Sequence, residues 1–157
     1  MTDDRDAWII DAADPRDGDA SALVPALTDE LARLYREDGS GNLRPDDALG
    51  PRSGFVVGRI GGQPVACGAY RPMGPEVAEI KRMYVAPAYR GRGLGRRILE
   101  RLEARAHRDG YAAVRLETGI LQPEAIRLYE SAGYRRIDNY GIYQENPRSV
   151  CFEKTLA

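Results

Sequence analysis

The chain has 157 residues, of which 43% are hydrophobic and 30% are charged, and this size and composition predict one compact domain spanning residues 1–157. Its 23 basic and 24 acidic residues give a net charge of −1, which argues against a protein drawn to nucleic acid by its overall charge. The acidic start lacks the basic and apolar regions of a secretion signal, and no apolar run is long enough to span a bilayer, so we expect a cytoplasmic protein.

The residues that carry metal and disulfide chemistry are few and scattered. Cys67 and Cys151 lie far apart within apolar, strand-like segments, which predicts small core side chains rather than a disulfide or a metal-binding pair. The single histidine, His107, lies late in a charged helical segment without a second ligand at metal-binding spacing. We therefore expect no metal site.

The first third of the chain predicts a strand, a helix and a loop. Residues Trp8 to Ala12 form a short apolar run that is typical of a strand. Leucines spaced by three and four residues between Ala22 and Arg36 predict an amphipathic helix. Residues 43–53 are rich in Pro, Asp and Gly, which predicts a loop with only weak helical character near residues 46–49.

The next segments predict three consecutive strands. Gly54 to Ile60 and Gln63 to Arg71 are apolar runs joined by Gly61-Gly62, and this dipeptide suits a tight hairpin turn because glycine adopts positive φ easily. Val77 to Val85 predicts a third strand, which ends before Pro87 because proline cannot donate to a strand ladder.

The second half of the chain alternates helices with strands. Apolar residues at helical spacing predict helices over Gly93 to Asp109 and Pro123 to Ala132. Strand-like runs cover residues 112–117, 134–137 and 150–154. This order of elements predicts a mixed α/β domain whose first half is largely antiparallel.

A glycine-rich loop between the strand that ends at Val85 and the following helix is the segment most indicative of function. Gly91, Gly93 and Gly95 leave the backbone open to close approach, so that successive N–H groups and the positive helix end can contact a phosphate. Their spacing matches neither a P-loop nor a dinucleotide-binding fingerprint. Taken alone, the segment is also compatible with an ordinary turn whose arginines face solvent.

Two motifs resemble those of the GNAT acetyltransferases. The first is a strand, Val-x-Pro and then Arg/Gln-x-x-Gly-x-Gly/Ala at the start of a helix, matched here by Val85-Ala86-Pro87 and Arg90-Gly91-Arg92-Gly93-Leu94-Gly95. The second is Asn-x-x-Ala-x-x-Leu-Tyr-x-x-x-Gly-Phe, matched here by Gln122, Ala125, Leu128, Tyr129, Gly133 and Tyr134. Gln122 replaces the usual Asn with a similar amide. The residue-level resemblance runs from Val77 to Tyr134, and the first half agrees in element order alone.

This resemblance implies both a fold and a cosubstrate. The fold would be the GNAT fold, an α/β arrangement in which a mixed, mostly antiparallel twisted sheet of six to seven strands is flanked by three to four helices. The cosubstrate would be acetyl-CoA, with its pyrophosphate on the glycine loop and its pantetheine arm along the end of the preceding strand. The residues implied to contact it are Met83, Tyr84, Val85, Arg90, Gly91, Arg92, Gly93, Leu94, Gly95, Arg96, Gln122 and Tyr129.

Catalytic roles follow from the same resemblance. Acetyl transfer to an amine needs a neutral nucleophile and a proton for the departing thiolate. Tyr129 resembles the family's general acid, although its apolar helix face is also typical of a core tyrosine. Glu79 lies eleven residues before Arg90, at the strand position where histone-type members carry a general base. Glu117 and a water molecule are the alternatives to Glu79.

Several side chains are candidates for the acceptor site. Arg71, Lys81 and Arg82 come from neighbouring strands and would suit a carboxylate, although a solvated basic strand face explains them as well. Tyr140 and the nearby Tyr143 would either shape the acceptor mouth or pack at a sheet edge. Glu117 is a further candidate, for binding the substrate ammonium.

The sequence therefore predicts direct transfer from acetyl-CoA to a primary amine, with a small molecule such as an amino acid as acceptor. Neither cysteine lies in a nucleophile context, so no covalent enzyme intermediate is expected. The alternatives are a peptide or protein N-terminal acetyltransferase and a noncatalytic acetyl-CoA-binding module, and the presence of Tyr129 argues against the module. We expect neither a nucleic-acid nor a membrane partner, and a homodimer paired through the C-terminal strand is a further hypothesis.

Overall fold

The computed structural model describes residues 8–13, 23, 25–26 and 50–156. Its strands are β1 (Trp8–Ala12), β2 (Gly54–Ile60), β3 (Gln63–Pro72), β4 (Val77–Val85), β5 (Ala113–Gly119), β6 (Arg135–Ile137) and β7 (Ser149–Thr155). Its helices are α1 (Leu94–Arg108) and α2 (Pro123–Ser131), with 3-10 turns at Pro87–Tyr89 and Gly141–Tyr143. Most of the helix predicted over 22–36, and the whole of segment 46–49, lie outside the described residues.

The strands form one seven-stranded sheet in the order β1-β2-β3-β4-β5-β7-β6. Every neighbouring pair is antiparallel except β4 and β5, which are parallel because α1 carries the chain back before β5 begins. The predicted mixed, mostly antiparallel sheet is confirmed. The described residues contain two α-helices with defined bounds, where three to four were predicted for the chain. None of the helices within these ranges has the length and apolar character needed to cross a membrane.

The hairpin between β2 and β3 turns at the predicted glycine pair. Gly61 and Gly62 have φ angles of 57° and 81°, and Ile60 pairs with Gln63 across the turn. A two-residue hairpin of this type needs positive φ at both central positions, which glycine adopts more easily than residues with a Cβ. The turn confirms the prediction and fixes the register of the two strands.

One apolar face anchors α1 to the sheet. Leu94, Ile98, Leu102 and Ala106, which share that face, are at most 1% exposed. A Cβ placed on Gly68 of β3 would lie 2.7 Å from Leu102 Cδ1 and 2.9 Å from Ile98 Cγ2, so the helix approaches this closely because Gly68 has no side chain. Burial of each large aliphatic side chain contributes about 1.5–3 kcal/mol. This packing sets the position of the helix N-terminus.

A β-bulge alters β4 near its end. Ala66 of β3 pairs with Val85, and Ala69 pairs with Lys81, so β4 has one residue more than β3 in this interval. Arg82 accommodates the extra residue with a φ of 58°, in the left-handed region that residues with a side chain rarely adopt. The sequence gives no glycine at this point that would have indicated the bulge.

Beyond the bulge, β4 and β5 separate. Their pairing ends at Ile80 and Leu116, whereas the strands themselves continue to Val85 and Gly119. The main chain of residues 83–85 is therefore not paired with β5. This opening between two parallel strands determines where the candidate site lies.

Both cysteines are core residues, as predicted. Cys67 and Cys151 are free thiols without measurable exposure. Burial raises the pKa of the Cys67 thiol to about 12 and also raises the pKa of Cys151. Protonated thiols are poor nucleophiles, so neither side chain is suited to covalent catalysis.

Candidate active site

A groove of about 1170 Å³ lies between the end of β4, the start of α1 and the start of α2. The predicted contact residues that line it are Met83, Tyr84, Val85, Arg90, Gly91, Gly93, Leu94, Gly95, Arg96, Gln122 and Tyr129. Arg92 was predicted with them but does not line the groove; its guanidinium lies 5.4 Å from the centre of the Tyr89 ring. Two sequence motifs separated by a whole strand thus meet at one opening.

The groove also has walls that the sequence reasoning missed. These additional residues are Tyr89, Leu121, Pro123, Glu124, Ala125, Arg127 and Leu128. Ala125 and Leu128 belong to the second motif and follow Gln122 at helical spacing, so projecting that motif onto a helix would have identified this wall. Arg127 carries a positive charge into the groove from α2, which no motif position indicates.

The glycine loop has a backbone that an anion can approach. Gly91 and Gly93 have φ angles of 81° and 82°, and Gly93 is the residue immediately before α1. The first turn of α1 contains no acidic residue, so the positive end of the helix faces the groove without a neutralising carboxylate of its own. Free N–H groups at such a helix end are suited to binding phosphate.

Arginines brace this loop. Arg90 Nε donates to the carbonyl of Val85 at 2.8 Å, which ties the loop back to the end of β4. Arg96 donates to the Ser131 hydroxyl at 2.9 Å and so links α1 to α2. At Gly95 a Cβ would lie 3.3 Å from Leu128 Cδ2, so the two helices approach each other closely where the groove begins.

Tyr129 lies in the groove and is 6% exposed. Its ring centre is 5.8 Å from that of Tyr134 and 5.9 Å from that of Phe152, so the aromatic ring is part of the core. Burial, and next the negative charge of Glu117, raise the pKa of the Tyr129 phenol. The hydroxyl is therefore fully protonated at neutral pH and available as a proton donor.

Glu79, the first candidate for a base, lies outside the groove and is held by two other residues. One oxygen accepts from Arg71 Nε at 3.1 Å and from an Arg71 terminal nitrogen at 3.0 Å. The other accepts from the Tyr140 hydroxyl at 2.9 Å. Glu79 is 4% exposed, so these contacts compensate a buried carboxylate. The structure thus brings together Arg71, Glu79 and Tyr140 in one cluster.

Glu117, the alternative base, is not among the residues that line the groove. Its carboxylate accepts from the Ser149 hydroxyl at 2.6 Å. Its negative charge acts to raise the pKa of Tyr129 in the groove and the pKa values of Lys81 and Tyr143. Glu117 therefore interacts electrostatically with Tyr129 as well as with Lys81 and Tyr143.

The far face of the sheet is polar in this region. Ile80 and Leu116 face the core beneath α1, so their neighbours Glu79, Lys81 and Glu117 project from the opposite side. Tyr140 and Tyr143, whose rings meet edge to face at 5.6 Å, cover this side. Arg82 is 8% exposed within the β4 bulge, and its carbonyl accepts from the Cys67 thiol at 3.3 Å.

Comparison with known proteins identifies the family from most of the chain. Residues 21–134 match the sequence model of the Acetyltransferase (GNAT) family. A protein named IAA acetyltransferase from Azospirillum brasilense is 36% identical over 135 residues, which cover 85% of this chain and 88% of the relative.

Solved structures share the fold. A structure from Klebsiella pneumoniae, assigned to the acyl-CoA N-acyltransferases, superposes with a TM-score of 0.81 at 34% identity, covering 96% of this chain and 98% of that one. A GNAT family acetyltransferase from Elizabethkingia anophelis, solved with acetyl-CoA bound, superposes with a TM-score of 0.72 at 19% identity, covering 96% and 99%. The chain therefore belongs to the GNAT family of acetyltransferases and is an acyltransferase.

Proposed function

We propose that this protein transfers the acetyl group of acetyl-CoA to the primary amine of a small molecule, in a complex that holds both substrates at once. The observation that carries the proposal is one groove that combines a glycine loop suited to phosphate, a strand edge not paired with β5 and a buried tyrosine. Family membership supports the acyl-transfer chemistry, and the Elizabethkingia structure supports acetyl-CoA as the donor.

The groove suits acetyl-CoA along its length. The N–H groups of residues 91–95, together with Arg90 and Arg96, suit the pyrophosphate. Residues 83–85 are not paired with β5, and this open edge of β4 suits the amide groups of the pantetheine arm, which would bind as a short added strand. When bound, acetyl-CoA supplies an activated thioester.

The residues at the inner end of the groove suit the transfer step. The amine nitrogen forms a bond to the thioester carbonyl carbon, and the carbon–sulfur bond breaks. The backbone N–H of Val85 would donate to the carbonyl oxygen as negative charge develops there. Tyr129 would donate its proton to the departing sulfur, for which its retained proton at neutral pH is suited.

We assign the removal of the amine proton to Glu117, acting directly or through a water molecule, in preference to Glu79. Both oxygens of Glu79 accept hydrogen bonds from Arg71 and Tyr140, which gives that carboxylate a positioning role. The negative charge of Glu117 raises the pKa of the Tyr129 phenol, and this electrostatic interaction with the proposed acid favours Glu117 as the base.

The experiment that tests the proposal is an acceptor screen. Free-thiol release from acetyl-CoA would be measured with amino acids, polyamines, aminoglycosides, peptide N-termini and IAA, the compound in the name of the Azospirillum relative. Turnover of a small amine supports the proposal. Turnover of peptide N-termini alone would replace it with peptide acetylation. Tight acetyl-CoA binding without turnover of any acceptor would support a noncatalytic module.

A further inference from the structure

Two polar side chains on the far face of the sheet form a donor pair. Lys81 Nζ donates to the Tyr143 hydroxyl at 2.5 Å, and the same ammonium lies 5.3 Å from the centre of the Tyr143 ring. Lys81 belongs to β4, and Tyr143 lies 62 residues further on, in the 3-10 turn that covers this face. The pair is therefore created by the tertiary fold.

Both groups retain protons that no group among the described residues accepts. An ammonium has three protons, and Lys81 uses one; the Tyr143 hydroxyl accepts that bond and still has its own proton to donate. Within the part of the chain that the structure describes, neither makes a second hydrogen bond. Tyr143 is 5% exposed and Lys81 is half-buried, so water has limited access to them. A buried hydroxyl such as that of Tyr143 usually donates to an acceptor.

The charge around this pair is mixed. Burial lowers the pKa of the Lys81 ammonium, Glu79 and Glu117 act to raise it, and Arg71 and Arg82 act to lower it. Glu79 is hydrogen-bonded to Arg71 and Tyr140. A carboxylate bound at Lys81 would favour the charged form of its partly desolvated ammonium.

The pair lies next to the reaction centre of the proposed function. Lys81 directly follows Ile80, the last β4 residue paired with β5. The charge of Glu117 acts on Lys81 and Tyr143 as well as on Tyr129 in the groove. An acceptor that reaches the thioester from the far face of the sheet would pass these donors.

We propose that Lys81 and Tyr143 bind a carboxylate of the acceptor, so that the substrate is an amine that carries a carboxylate, such as an amino acid. This inference rests on the proposed function and names its substrate class. Lys81 Nζ and the Tyr143 hydroxyl donate to the carboxylate oxygens, and the bond from the Lys81 ammonium is charge-assisted. Arg71, which was also predicted to bind a carboxylate, donates two hydrogen bonds to Glu79 instead.

The test compares amino acids with their own carboxamides, which keep the amine and lose the negative charge. Two readouts are used: thiol release from acetyl-CoA, and calorimetric binding to protein saturated with coenzyme A, which requires no turnover. Wild type and the variants Lys81→Met and Tyr143→Phe are compared. Lys154→Met is the matched control, because Lys154 is also half-buried but donates to Glu103 of α1. Circular dichroism verifies that each variant is folded.

We expect the best amino acid to be preferred over its amide by about tenfold to a hundredfold, the value of charge-assisted hydrogen bonds. Lys81→Met and Tyr143→Phe should lose that preference through KM or Kd, while Lys154→Met keeps it. Equal use of acids and amides by the wild type, or an intact preference in Lys81→Met, overturns the inference while leaving acetyl transfer standing. An acid preference in binding without thiol release supports the inference and removes the proposed function. Absence of both binding and turnover of every acid overturns the inference.

Discussion

Replacing Tyr129 with Phe removes one hydroxyl group and leaves an aromatic ring in place. The ring centre lies 5.8 Å from that of Tyr134 and 5.9 Å from that of Phe152, and these contacts do not involve the hydroxyl. Removal of a desolvated hydroxyl is close to neutral for stability. We therefore expect the free energy of unfolding to change by less than about 1 kcal/mol.

The rate of acetyl transfer should change far more. Loss of a positioned general acid costs on the order of a hundredfold in kcat, which corresponds to about 2.7 kcal/mol of transition-state stabilisation. Because the hydroxyl acts on the departing sulfur, the Kd of acetyl-CoA should remain within about threefold of the wild-type value. On the same preparation, thiol release at saturating substrates measures kcat, calorimetry measures the Kd of acetyl-CoA, and thermal unfolding measures stability.

Two outcomes would refute the assignment of Tyr129. A kcat within threefold of wild type would show that the departing thiolate obtains its proton elsewhere. A hundredfold loss accompanied by a large decrease in melting temperature would show that the residue acts through packing. The predicted pattern is a large kinetic effect on a protein of unchanged stability.

Four further substitutions test other parts of the protein. Glu117→Gln should lower kcat by about tenfold or more, whereas Glu79→Gln should mainly lower the melting temperature because it weakens a buried ion pair; the reverse pattern in paired kinetic and thermal measurements would return the base role to Glu79. Gly93→Ala should raise the Kd of acetyl-CoA about tenfold, since a φ of 82° costs a residue with a Cβ about 1–2 kcal/mol and the loop moves to relieve it; an unchanged calorimetric Kd contradicts this. Gly68→Ala should destabilise the fold by about 1–3 kcal/mol, because the new methyl group meets Leu102 Cδ1 at 2.7 Å; urea unfolding at the wild-type midpoint would disprove it.

Local sequence patterns predicted the strands, helices and turns around the groove because the geometry of each depends on residues close together in the chain. The Gly61-Gly62 turn, the apolar face of α1 and the glycine loop all depend on neighbouring residues. The two motifs then meet because they lie at the start of α1 and the start of α2, on either side of β5. Strand and helix boundaries were correspondingly close to those observed.

The cluster around Glu79 depends on contacts that no local pattern encodes. Tyr140 reaches Glu79 from 61 residues further along the chain. The contact between Arg71 and Glu79 could have been predicted from the strand register, because the two residues are direct cross-strand partners in the β3–β4 pair. The bulge at Arg82 could not have been predicted, since no sequence pattern indicates a positive φ at an arginine. The sequence therefore indicated Glu79 as a candidate base without indicating its contacts with Arg71 and Tyr140.

Incubation with acetyl-CoA that carries an isotopic label in its acetyl group tests most directly that this protein moves the acetyl group straight to an amine. We expect the label to appear on the acceptor nitrogen only when acetyl-CoA and a small-molecule amine are present together, with none on the protein. Label held covalently by the protein before any amine is added, or thiol release without a labelled amine product, would contradict direct transfer.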